Sequence, residues 1–245
     1  MFFNGFGLVI LTSFLACLVT TMGIYVISKY EQWGKEHSTY FMSFAAGVLI
    51  SVSFIHIIPK AFQMNEAAPT FLLVGYLGIY LSNRIVKLYV CHERECPVNY
   101  TMGIIPMLGI GLHSFIDGVI YSVTFNVSVL TGVLAAIGMV LHEFPEGIVT
   151  FVMLERAGFS RKRSFFYAFL AAALSTPLGT LVSFPFINRI DRATLGNWLA
   201  ISAGALVYVG ASHLLPFVEQ ERKRYSLLAL VAGVVVAVGI VLTKR

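Results

Sequence analysis

The sequence predicts an all-α integral membrane protein with eight membrane-crossing helices. Three observations carry that expectation. Only 12% of the residues are charged, against about 25% in a soluble domain, so most of the surface is made for lipid. Apolar runs long enough to cross a bilayer, about 20 residues each, recur at roughly 5–28, 38–59, 67–88, 100–124, 128–153, 164–187, 195–217 and 225–243. These runs are continuous and lack the alternation of a membrane β-barrel, so helices satisfy their backbone groups.

Taken in order, the first run holds no charge before Lys29. A cleaved leader would begin with a basic stretch, so this run is expected to stay as a span. Charged or turn-prone residues separate most of the others; the fourth and fifth are joined by a short polar turn near Asn126. With the N-terminus outside, the inner connections hold Lys29, Lys35, Arg84, Lys87, Arg94, Arg156, Arg161, Lys162, Arg163, Arg222, Lys223 and Arg224, twelve of the seventeen Lys and Arg residues. That asymmetry predicts both termini on the extracytoplasmic side. The net charge of +5 is thus topological, and no nucleic-acid partner is expected. Cys17, Cys91 and Cys96 are an odd set and form no disulfide framework.

The chain repeats itself. Residues 45–59 read AAGVLISVSFIHIIP and residues 202–216 read SAGALVYVGASHLLP. The matched pairs include Gly47 with Gly204, His56 with His213 and Pro59 with Pro216. The two segments belong to helices of opposite direction, so the repeat is inverted, as in many transporters. The expected organisation is one transport domain over 1–245, with inverted repeats at about 1–90 and 160–245 flanking a central helix pair at 100–153. That pair carries a second match, His113-Ser-Phe-Ile-Asp117-Gly against His142-Glu143-Phe-Pro-Glu146-Gly.

The central pair holds the chemistry. A carboxylate at the bilayer centre costs about 2.5–3.5 kcal/mol, so Asp117, Glu143 and Glu146 need compensation. His113 and Asp117 are four residues apart and share a helical face, as do His142 and Glu146. If the helices face each other at one depth, five nitrogen and oxygen donors converge. Imidazole with carboxylate suits zinc, iron or manganese. Pro145 removes a backbone donor, and Gly118 and Gly147 permit close helix approach. Two other readings stand beside this one. Buried polar groups can simply hydrogen-bond between helices. Alternatively His142, Glu143 and Glu146, similar to His-Glu-x-x-His, would form an intramembrane zinc-dependent hydrolase with Glu143 as base. Pro145 and the second copy of the motif both count against the hydrolase.

On these residues the chain resembles the ZIP (Zrt/Irt-like) family of divalent metal transporters. The resemblance covers essentially the whole length, through HSFIDG at 113–118, HEFPEG at 142–147, and the HIIP and HLLP helix ends. It implies a 3+2+3 arrangement of helices and movement of zinc, iron, manganese or cadmium toward the cytoplasm, with zinc foremost. It implies His113, Asp117, His142, Glu143 and Glu146 as metal ligands. The metal is cargo; no cofactor is expected, and the protein is not expected to be an enzyme. A homodimer is left open. Many two-metal members have Asn where this chain has Ser114, and Glu where it has Thr176, so one strong site is expected.

Outside the centre, His56 and His213 read either as entry and exit relay ligands or as interfacial polar residues. Cys91, His92 and Cys96 in an inner connection read either as a pick-up site for released metal or as a plain polar loop. The transport expected is alternating access, one bundle rocking against the other.

Overall fold

The computed structural model describes residues 2–30, 33, 36–90, 100–127, 129–220 and 223–242. Among them every regular element is helical. α1 is Phe2–Lys29. α2 joins Ser38–Val52, a π-helical turn at Ser53–Ile57 and Ile58–Met64. α3 is Ala68–Val90, α4 is Tyr100–Val127 and α5 is Val129–Arg156. α6 joins Arg161–Ala168, a π turn at Phe169–Ala173 and Ser175–Ser183, then tightens to a 3-10 helix at Phe184–Arg189. α7 joins Arg192–Val207, a π turn at Tyr208–Leu214 and Leu215–Gln220. α8 is Ser226–Leu242.

Five helices among the described residues are long and apolar enough to cross a membrane: Phe6–Lys29, Thr39–Met64, Thr101–Asn126, Arg161–Ile187 and Arg192–Gln220. Their outward faces are apolar. On α1, Leu11, Leu15, Leu18 and Met22 are exposed; the shorter apolar helix α8 likewise exposes Leu227, Leu228, Val231 and Val235. The interior, by contrast, holds Ser13, Thr20, Ser43, Ser114, Ser122, Thr176, Thr180 and Ser202, all fully buried. In lipid, apolar side chains gain nothing by turning inward; small polar residues and close packing hold helices together instead.

The π turns have a common neighbour. Each is followed closely by a proline: Pro59 in α2, Pro177 in α6 and Pro216 in α7. A proline ring clashes with the carbonyl one turn before it, and a widened turn relieves the clash. Pro106 and Pro145 sit inside α4 and α5 without such a turn. The central helices therefore run unbroken through their motifs, and the helix irregularities fall on α2, α6 and α7.

Packing divides the helices into two groups. α5 packs on α1 and α4, and α4 packs on α6, which also touches α1. α2 packs most extensively on α8, α3 on α7, and α7 also meets α2. Glycines set the closest approaches. A methyl at Gly47 would collide with the Leu230 carbonyl and one at Gly233 with the Phe44 carbonyl, across α2 and α8. Gly204 and Gly75 do the same against Leu72 and Ile201, across α7 and α3.

Candidate metal site

The motif glycines place the site's walls. On α5, a methyl at Gly147 would lie 2.5 Å from the Thr20 carbonyl, and one at Gly23 of α1 would lie 2.5 Å from the Phe144 carbonyl. On α4, Gly118 meets the Thr176 carbonyl and Gly179 of α6 meets the Phe115 carbonyl. The glycine that closes each hexamer thus brings a threonine-bearing helix against the central pair.

Those threonines serve one carboxylate. Glu143 is fully buried. Thr20 donates to its Oε2 at 2.5 Å and Thr176 to its Oε1 at 3.0 Å. Hydrogen bonds to an ionised acceptor are roughly twice as strong as neutral ones, and here both oxygens receive one. Thr176 is therefore a donor to Glu143.

The other acids meet an imidazole. His113, Asp117 and Glu146 are all buried. His113 Nε2 lies 3.6 Å from Asp117 Oδ2 on its own helix and 3.5 Å from Glu146 Oε1 on α5. His113 Nδ1 lies 2.9 Å from Ser202 Oγ on α7, and Ser114 Oγ lies 3.3 Å from Glu146 Oε2. The hydrogen bond at Nδ1 fixes the ring and leaves Nε2 facing both carboxylates. Zinc holds nitrogen and oxygen ligands at about 2.0–2.2 Å, so donor pairs about 3.5 Å apart can share one such ion.

Among the described residues, no three His, Cys, Asp or Glu side chains converge as a ready-made cage. His113 reaches the two carboxylates pairwise. The side chain of His142 lies outside what the structure describes, though its backbone sits on α5 one turn before Glu146. A small, partly open recess with room for about one water molecule lies beside Glu146, lined by Ala45, Val48 and Leu49 of α2, Ile110 of α4, and Pro145 and Val149 of α5.

His56 and His213 are both half-buried and both lie in π turns. Cys91, His92 and Cys96 lie outside the described residues. Sequence reasoning did not single out Thr20 or Ser202, which come from helices distant in the chain. Only the position of Ser202, opening the repeated segment, marks it.

Fold and site together define a multi-pass helical membrane protein with buried acids gathered around an imidazole. The sequence model of the family described as ZIP Zinc transporter matches residues 91–241. A protein named zinc transporter ZupT from Chlorobium phaeovibrioides is 31% identical over 93% of this chain and 94% of its own. Those of Chlorobium luteolum and Streptococcus mutans are 31% and 28% identical, covering 95% and 91% of this chain and 96% and 92% of their own. This chain belongs to the ZIP family of metal transporters.

Proposed function

We propose that the protein carries zinc across its membrane toward the cytoplasm, binding it at mid-membrane between α4 and α5. The observation that carries this reading is the position of His113 Nε2 between Asp117 Oδ2 and Glu146 Oε1. Two buried carboxylates carry one more negative charge than a single imidazole can offset, so a cation that joins them relieves their repulsion, and uncompensated charges in lipid are costly. His142 completes the donor set from α5, with Glu143 close by. Imidazole and carboxylate also suit iron and manganese, so these are the competing ions.

The same reading counts eight spans in a 3+2+3 order, with both termini outside and inverted repeats at about 1–90 and 160–245. Matched contacts support the repeat. Phe44 and Ile201 occupy equivalent positions and each receives a glycine, from α8 and α3 respectively. Gly47 and Gly204 approach Leu230 and Leu72 in the same manner. Thr20 and Thr176 stand at equivalent places in α1 and α6 and take the two oxygens of Glu143.

In this mechanism α1, α4, α5 and α6 move as one body against α2, α3, α7 and α8. The bond from His113 Nδ1 to Ser202 crosses that boundary, so it holds one state of the site and breaks in the other. His56 serves on entry and His213 on release, each in a π turn where the backbone is already widened. Cys91, His92 and Cys96 receive the metal inside.

The hydrolase reading gains no support. Both Glu143 oxygens accept hydrogen bonds from threonines, which leaves the carboxylate poorly placed to take a proton from water. The test is uptake of radioactive zinc into proteoliposomes by the parent and by a His142→Ala/Glu146→Ala double variant, with iron and manganese as competitors. Uptake by the parent that vanishes in the variant is expected. Stoichiometric zinc binding with no ion crossing would overturn the transporter reading.

A further inference from the structure

His113, Asp117 and Tyr121 follow one another at four-residue intervals on α4, so they lie along one face of the helix. Tyr121 is fully buried and is among the largest wholly enclosed side chains in the protein. Among the described residues its hydroxyl has no hydrogen-bond partner. The equivalent position on α5 is Thr150, whose hydroxyl is spent on the Glu146 carbonyl at 2.8 Å. Ser122, the next residue on α4, is likewise engaged, with the Thr180 carbonyl at 3.2 Å. Tyr121 thus differs from its polar neighbours in having an unspent hydroxyl.

A buried hydroxyl without a partner loses its hydration and regains nothing. Phenylalanine would fill the same space without that loss. Helix side chains lean back toward the N-terminus, which here is toward Asp117, and the backbone of Tyr121 lies one helical turn, about 6 Å of rise, beyond Asp117 on the side away from His113. Under the proposed topology this is the outward side, from which a hydrated divalent cation arrives. Water bound to such a cation is a strong donor, and a phenol oxygen is a fitting acceptor.

We propose that Tyr121 is a further positioning residue of the cation site, its hydroxyl oxygen accepting a hydrogen bond from a water that the divalent cation carries on its outward side. The cation is then held directly by His113, Asp117 and Glu146 and through water by Tyr121. This rests on the metal site proposed above. Outer groups of this kind typically change metal affinity 10–100-fold.

The test is zinc titration calorimetry on the full chain in detergent, comparing the parent with Tyr121→Phe, alongside the melting temperature of each without zinc. The expected result is a Kd about tenfold weaker with the zinc-free melting temperature unchanged or raised. An unchanged Kd would overturn the proposal. So would a weaker Kd accompanied by a lowered zinc-free melting temperature, since altered packing then accounts for it. His113→Ala in the same experiment separates the two levels. If the parent's zinc binding survives that change, the site itself is misplaced and the Tyr121 proposal falls with it.

Discussion

Thr176 on α6 donates a 3.0 Å hydrogen bond to Oε1 of Glu143 on α5, and Glu143 has no exposed surface. The second oxygen is taken by Thr20 from α1. One carboxylate therefore ties together three helices of the group that carries the site. Hydrogen bonds to charged groups contribute about 1.5–3 kcal/mol. Thr20→Val and Thr176→Val each preserve shape and remove one donor. Each is expected to destabilise the protein by about that amount, read as a lower denaturation midpoint in detergent. Unchanged midpoints in both would show that Glu143 does not depend on them.

Ser202 orients His113 across the boundary between the two helix groups. Ser202→Ala removes the hydroxyl that meets Nδ1 and weakens the hold on the ring's orientation. Zinc affinity is expected to fall about 10–100-fold, measured by titration calorimetry, while the fold is retained. An unchanged Kd would mean the ring is held by its packing alone.

Glycine substitutions should divide by location. At Gly118 an added methyl meets the Thr176 carbonyl, whereas at Gly78 it meets nothing within 4 Å. Gly118→Ala must push α6 off α4 and carry Thr176 away from Glu143, so folded yield and uptake are both expected to collapse. Gly78→Ala should leave both unaffected, and folded yield by size-exclusion chromatography reads the contrast. Equal yields would contradict the close approach of α4 and α6.

The central acid should matter more than the terminal imidazole. Glu146 lies 3.5 Å from His113 Nε2, while His213 lies in the π turn of α7. Zinc uptake is expected to be abolished by Glu146→Ala and only reduced by His213→Ala. Uptake equal to the parent in both variants would remove Glu146 from the route.

Much of this was legible because lipid simplifies the reading. Long apolar runs mark helices, and the acids inside them, Asp117, Glu143 and Glu146, are buried in the structure. The four-residue spacing of His113 and Asp117 was enough to place both on one face. What crosses between distant helices was not legible. Nothing local distinguishes Thr20 from Thr12 or Thr21, yet Gly147 of α5 and Gly23 of α1 bring α1 close enough for Thr20 to reach Glu143. Thr176 read as a lost ligand, whereas its hydroxyl is a donor that Glu143 uses. The prolines were also ambiguous: a π turn precedes Pro59, Pro177 and Pro216, but α5 absorbs Pro145 unbroken. Local sequence gives the clash, and tertiary packing decides whether the helix widens.

The central claim is that zinc sits among His113, Asp117, His142 and Glu146. Zinc-edge X-ray absorption on the zinc-loaded parent in detergent reads that shell directly. The account predicts nitrogen and oxygen ligands at about 2.0–2.2 Å, with imidazole scattering that weakens in His113→Ala. Sulfur at about 2.3 Å, or imidazole scattering unchanged by His113→Ala, would contradict it.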